Sequence, residues 1–215
     1  MVKIAPSILS AKLLNIKNEV INVDNAGAEY IHIDIMDGHY VPNITFGPNI
    51  VKSLRKITSK TLDVHLMISP VLPYIEEFIN SGSDIISFHP EADENPDKII
   101  ELLKKNHCKV GIAIHPSVSI ENIKKYLNVI DLVVVMTVMP GFGGQKFLNN
   151  QIIKIKKLND LRKELNLKFE IEIDGGINNV SSLICKKNGA DVLVAGSYIY
   201  GSSEIDYKLK IDSLR

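Results

Sequence analysis

Apolar and polar positions along this chain follow two rhythms. Short runs rich in β-branched residues, at 4–7, 30–36, 62–67, 85–89, 110–114, 132–137, 170–174 and 192–195, read as strands. Between them, at 16–26, 74–80, 96–106, 120–127, 148–165 and 181–188, apolar positions recur with the spacing of amphipathic helices, with a weaker helical segment at 48–56 and a last one from residue 204. Gly27-Ala28-Glu29, Gly82-Ser83-Asp84 and Gly189-Ala190-Asp191 each separate a helical segment from the next strand, where glycine supplies the left-handed position that ends a helix. Eight strand-and-helix units in one series, without a linker or low-complexity tract, predict a closed parallel (β/α)8 barrel, a TIM barrel, forming a single catalytic domain over residues 1–215.

The second strand, Tyr30-Ile31-His32-Ile33-Asp34-Ile35-Met36, carries the strongest pattern. Residues two apart share a face of a strand, so Ile31, Ile33 and Ile35 point toward covering helices while His32, Asp34 and Met36 point into the barrel. Taken alone, His-x-Asp reads as a buried histidine hydrogen-bonded to a carboxylate. The third strand repeats the pattern with His65 and Met67, which a plain core does not call for. In the seventh strand Glu170, Glu172 and Asp174 share a face too polar to bury without partners, and Asp174 stands just before the Gly175-Gly176 turn. Ser7 ends the first strand and offers a hydroxyl at the barrel mouth, where this architecture puts its chemistry.

Composition narrows the class. Lysine plus arginine balance aspartate plus glutamate at 25 each, which leaves no net charge to draw the chain to nucleic acid or an anionic membrane. Cys108 and Cys185 lack metal-ligand spacing and read as reduced, structural thiols, and no apolar run approaches a membrane span. The first twenty residues hold no continuous apolar segment of the kind that directs export, so the expectation is a cytoplasmic protein, with self-association left open.

His32, Asp34, His65 and Asp174 form a donor set of two imidazoles and two carboxylates without a thiolate. Such a set suits one divalent ion: zinc, iron(II), manganese or cobalt. Asp34 and Asp174 come from different sides of the barrel and can address the two faces of a substrate carbon. One would remove a proton and the other return one, through a metal-stabilised enediolate, which inverts the centre. Met36, Met67 and Met136 would line the site with apolar, polarisable surface, although Met136 alone reads as core. Two glycine-rich loops, Pro140-Gly141-Phe142-Gly143-Gly144-Gln145 after strand six and Ala195-Gly196-Ser197 after strand eight, can offer the amides of Gly143, Gly144, Gly196 and Ser197 to an anion. Together they suggest a phosphorylated small molecule.

Ala5-Pro6-Ser7-Ile8-Leu9-Ser10, His32-Ile33-Asp34-Ile35-Met36-Asp37-Gly38, Val41-Pro42-Asn43-Ile44-Thr45-Phe46-Gly47, His65-Leu66-Met67, the glycine loop at 140–145 and Asp174-Gly175-Gly176 closely resemble the ribulose-phosphate 3-epimerases, over essentially the whole chain. The resemblance implies a metal-dependent isomerase of the pentose phosphate pathway that interconverts D-ribulose 5-phosphate and D-xylulose 5-phosphate. It implies His32, Asp34, His65 and Asp174 as ligands, Asp34 as proton acceptor and Asp174 as donor. Ser7 and His65 would touch the substrate, and Gly141, Phe142, Gly143, Gly144, Gly175, Gly176, Gly196 and Ser197 would bind it, mainly around the phosphate. Met139 and His115 depart from residues common in that family and bear on substrate fit; His39, His89 and His107 are unassigned, with surface or supporting roles as the default, although His89 at the end of strand four can reach the rim. Three rival readings are an epimerase of a six-carbon ketose phosphate such as D-allulose 6-phosphate, a phosphosugar lyase, and a non-catalytic phosphate-binding barrel.

Overall fold

A computed structural model describes residues 1–215 of the protein. Eight strands, β1 (Lys3–Pro6), β2 (Tyr30–Met36), β3 (Thr61–Met67), β4 (Ile85–Phe88), β5 (Lys109–Ile114), β6 (Leu132–Met136), β7 (Glu170–Asp174) and β8 (Val192–Ala195), pair in parallel in the order β1-β8-β7-β6-β5-β4-β3-β2. The two ends of that series meet at a parallel bridge between Ser7 and His32. Below it the Ile4 carbonyl accepts from the Glu29 amide at 3.1 Å, and the Glu29 carboxylate accepts from the Ile4 amide at 2.8 Å. The barrel therefore closes at the strand positions that carry the His-x-Asp pattern.

The helices are α1 (Ile16–Asn25), α2 (Pro48–Leu54), α3 (Ile75–Asn80), α4 (Pro96–Lys105), α5 (Ile152–Glu164), α6 (Asn179–Asn188), α7 (Ser197–Tyr200) and α8 (Tyr207–Leu214). All eight strands fall where the alternation puts them, with ends shifted by at most a residue. One helical segment differs. Residues 120–127 form two 3-10 turns, Ile120–Asn122 and Lys124–Tyr126, instead of an α-helix. Ile120, Ile123 and Tyr126 are all buried, and their spacing of three matches the three-residue turn of a 3-10 helix, so this winding turns all three inward together.

Two apolar clusters report the inside and outside of the sheet. Ala5, Tyr30, Ile85, Ala113, Leu132, Val134, Met136 and Val194 are among ten buried residues filling the barrel, while Ile31, Ile33 and Ile35 belong to a separate group of 50 between sheet and helices. Polar side chains share the interior in layers. At the floor Lys3 Nζ donates to the Glu170 carboxylate at 2.5 Å and to Tyr30 Oη at 2.8 Å, so the lowest of the three carboxylates on β7 is paired. No helix is long and apolar enough to cross a membrane.

Candidate active site

Above that floor the inward faces of β2, β3 and β7 converge. His32 Nε2 lies 3.5 Å from Asp34 Oδ1 and 4.0 Å from Asp174 Oδ2, and His65 Nδ1 lies 3.7 Å and 3.6 Å from the same two oxygens. One ligand atom from each of the four residues lies within 4.8 Å of every other. Both imidazoles are fully buried, and neither His32 Nε2 nor His65 Nδ1 has a hydrogen-bond partner. Buried polar atoms are seldom left unpaired, so two nitrogens aimed at two carboxylate oxygens ask for a guest. The spacings fit a small ion, because metal–ligand bonds of about 2.0–2.2 Å in a tetrahedron separate the ligand atoms by about 3.3–3.6 Å.

Electrostatics point the same way. Burial opposes charge on His32, but the Asp63 and Asp34 carboxylates outweigh it and hold the imidazole well above its ordinary value. His65 is raised likewise: burial works against it, and Asp174 and Asp34 prevail. Burial would raise Asp34, yet the His32 and His65 rings depress it below the usual carboxylate range. The cluster is organised around cationic charge and keeps Asp34 ionised.

Each neighbour in this site fixes another. Asp34 Oδ2 accepts from Ser7 Oγ at 2.6 Å across the β1–β2 seam, leaving Oδ1 for the histidines. His32 Nδ1 meets Asp63 Oδ2 at 2.6 Å, which orients the ring and directs Nε2 into the cluster. Below them Glu172, fully buried, has its carboxyl pushed well above its ordinary value by burial and by the Asp63 carboxylate. His32, Asp63 and Glu172 also lie close enough to suggest an ion, but the short His32–Asp63 contact spends that nitrogen on a hydrogen bond.

A cavity of about 270 Å³ opens above Asp34 and Asp174. Met36, Met67, Met136 and Val138 form apolar wall, and Ser7, the loop at 140–145, Gly175, Gly176, Gly196 and Ser197 complete it. No lysine or arginine lines it. The backbone amides of Gly143, Gly144, Gly176 and Gly196 make no hydrogen bond within the chain. At Gly176, with φ +66°, a Cβ would come within 2.5 Å of the Phe147 amide nitrogen, so only glycine lets these two loops approach. Gln145 Nε2 donates to the Met139 carbonyl at 2.6 Å and to that of Phe142 at 2.8 Å, tying the strand-six loop to itself.

Every residue predicted from the sequence to take part in the site thus lies at one end of one barrel. Met139 and His115 do not line the cavity; they face a separate hollow with Tyr40 and Glu91. Sequence reasoning passed over Asp63, although Asp63-Val64-His65 gave it the same inward parity as His65. It also passed over Ser10, whose Oγ sits where a Cβ on Gly196 would fall, 2.6 Å away; a serine in a short turn carries no pattern of its own. Asn178 borders the cavity but spends its side chain capping α6.

Residues 3–200 match the model of the "Ribulose-phosphate 3 epimerase family". The chain is 44% identical to the ribulose-phosphate 3-epimerase of Bacillus subtilis (strain 168), over 100% of this chain and 99% of that one. It is 39% identical to the enzyme of that name from Escherichia coli (strain K12), over 99% and 94% of the two chains. Among solved structures, KGPDC from Streptococcus mutans superposes with a TM-score of 0.71 at 13% identity, over 100% of this chain and 95% of that one. The 3-keto-L-gulonate-6-phosphate decarboxylase of Vibrio cholerae gives 0.72 at 14%, over 100% and 95%. At such identities the superpositions speak for the barrel alone.

Proposed function

The chain belongs to the ribulose-phosphate 3-epimerase family and is an epimerase, and from that premise we propose that it interconverts D-ribulose 5-phosphate and D-xylulose 5-phosphate by proton transfer between two carboxylates. The observation that carries the mechanism is the convergence of Asp34 and Asp174 on two unpartnered imidazole nitrogens at the floor of one cavity.

In this reading His32, Asp34, His65 and Asp174 hold one divalent ion. When bound, the ion supplies a Lewis acid that polarises the substrate carbonyl and stabilises negative charge on the neighbouring oxygen. The protein does the rest. Asp34, kept ionised, takes the proton from C3 on one face, and Asp174 delivers a proton to the other face, so the configuration inverts. Microscopic reversibility exchanges the two roles in the return direction. Ser7 steadies Asp34 through Oδ2, and Asp63 steadies His32. The methionine wall keeps water from the planar carbanionic carbon, where a stray proton would enter without regard to face. The free amides of the glycine loops receive the phosphate as hydrogen-bond donors, which needs no lysine or arginine. The absence of disulfides, with Cys108 and Cys185 both buried thiols, supports a reducing cytoplasmic setting.

Proton exchange in deuterated water tests the reading. With the metal-loaded protein and ribulose 5-phosphate, deuterium enters C3 as xylulose 5-phosphate forms, and Asp34→Asn and Asp174→Asn each slow this by at least about 10² to 10⁴. Faster turnover of D-allulose 6-phosphate would reassign the substrate. Variants that fold and turn over at the parent rate would end the two-carboxylate mechanism.

A further inference from the structure

The metal-ligand reading leaves one buried imidazole without a task. His89 follows β4, two residues beyond Ser87, which pairs in register with His65, and it shares the inward parity of Ser87. It is fully buried and extended at φ −87°, ψ 119°, and Pro90 follows at once. Its Nε2 lies 3.1 Å from His65 Nε2. Its Nδ1 has no hydrogen-bond partner and points toward Glu91 Oε1 at 3.6 Å. That same carboxylate oxygen accepts from Tyr40 Oη at 3.1 Å, and the Tyr40 ring packs against the His89 ring with centroids 4.9 Å apart. The chain Glu91–His89–His65 runs from the barrel rim, where Glu91 meets solvent, down to the cluster.

Only one arrangement of protons satisfies this chain once His65 serves as a ligand. His65 presents Nδ1 to Asp34 and Asp174, so that nitrogen must be bare and the ring's single proton sits on Nε2. That N–H faces His89 Nε2, which must therefore accept. A neutral His89 accepting at Nε2 carries its proton on Nδ1, on the side of the Glu91 carboxylate. We propose that His89, held by Glu91 and Tyr40, is a positioning residue that fixes the ring orientation and tautomer of His65 and thereby sets the affinity of the site for its divalent ion. The inference rests on the reading of His65 as a ligand. It mirrors on β3 and β4 what Asp63 does for His32, with a neutral imidazole interposed between ligand and carboxylate. His115 does not compete for His89, because its Nδ1 is engaged with Ser117 Oγ at 2.7 Å and its ring meets His89 only edge-on at 6.5 Å.

The test measures zinc affinity by competition with a chromophoric chelator, alongside two-bond ¹H–¹⁵N spectra of the histidine rings in the zinc-loaded protein. For the parent, the spectra should show His65 protonated at Nε2 and His89 neutral and protonated at Nδ1. His89→Leu should lose about 10- to 100-fold in zinc affinity, the usual consequence of removing a ligand's supporting partner. His89→Gln, whose amide can accept from His65 and donate toward Glu91, should restore affinity to within about threefold. Glu91→Ala, at the rim, leaves the His89 Nδ1–H without its carboxylate and should lower zinc affinity by less than His89→Leu does, with the His89 proton still on Nδ1. Parent affinity in His89→Leu, or a parent spectrum with His89 protonated at Nε2, overturns the proposal while leaving the metal reading intact. A parent protein that binds no divalent ion overturns both.

Discussion

At the scale of single residues, Asp34 shows how one side chain serves two tasks. Its Oδ1 faces the two imidazoles and its Oδ2 receives the Ser7 hydroxyl. A hydrogen bond to a charged, buried carboxylate is worth about 1.5–3 kcal/mol. Ser7→Ala should therefore lower kcat by about tenfold or more while zinc affinity changes little, because the ligand oxygen is the other one; steady-state kinetics beside chelator competition separates the two. Asp63→Ala should do the opposite first. It frees His32 to rotate and strips about 10- to 100-fold from metal affinity, and saturating metal should recover much of the turnover. An Asp63→Ala protein with parent metal affinity would remove Asp63 from the support of His32. The inward parity was legible in the sequence because a strand alternates strictly, so His32 fixed the direction of Asp34, and His65 that of Asp63. His89 was legible only in part: it closes the strand read at 85–89 and shares the parity of Ser87, which placed it near the rim and gave it no task. In the structure it follows the last residue of a short strand, where the next turn decides whether the ring folds inward or out, and only packing beneath Tyr40 reveals which.

At the scale of elements, the loops at the mouth are held by carboxylates that accept from backbone amides. Asp93 accepts from Val71 and Leu72 at 2.8 Å each and from Asn95 at 2.8 Å, joining the loop after β3 to the loop after β4. Burial would raise its carboxyl, and these amides outweigh that and hold it below the ordinary carboxylate value. A depressed folded-state value adds stability above the unfolded value, about 3.9, and that contribution fades as pH falls through the lower folded value. Asp93→Ala should thus cost about 1–3 kcal/mol at pH 7, and the gap in thermal midpoint to the parent should narrow below about pH 4. A gap unchanged by acid would mean that packing, and not the charge, holds these loops. Gly176→Ala forces a Cβ against the Phe147 backbone at positive φ. We expect a raised KM for the phosphosugar with the metal site intact, read by comparing KM with zinc affinity. The 120–127 segment marks where helical periodicity misleads: a spacing of three satisfies both windings over so short a stretch, and the packing of Ile120, Ile123 and Tyr126 selects the tighter one.

At the scale of the molecule, the barrel closes where its chemistry is densest. The β1–β2 seam holds by one bridge at Ser7 and His32 beside the Ile4–Glu29 and Ser7–Asp34 hydrogen bonds, and the ion, when bound, would tie β2, β3 and β7 together across the interior. A ligand at about 100 times its Kd stabilises the fold by about 2.7 kcal/mol, and for a chain of this size each kcal/mol moves Tm by about 2–4 °C. Chelation should lower Tm by about 5–10 °C, and Asp174→Asn should abolish most of the difference; a parent Tm indifferent to chelator would remove the ion from this site. The sequence by itself determined the eight-unit architecture, the inward faces and the motifs that identify the family, because alternation and turn residues act locally and survive without knowledge of contacts. Tertiary structure decided what depends on distance. It decided that one donor atom from each of four residues on three strands comes within 4.8 Å of the others, that Asp63 and His89 stand behind the two histidines, and that no lysine or arginine lines the cavity. These are matters of closure and register, which fix positions between strands far apart in the chain and leave no mark on any one of them.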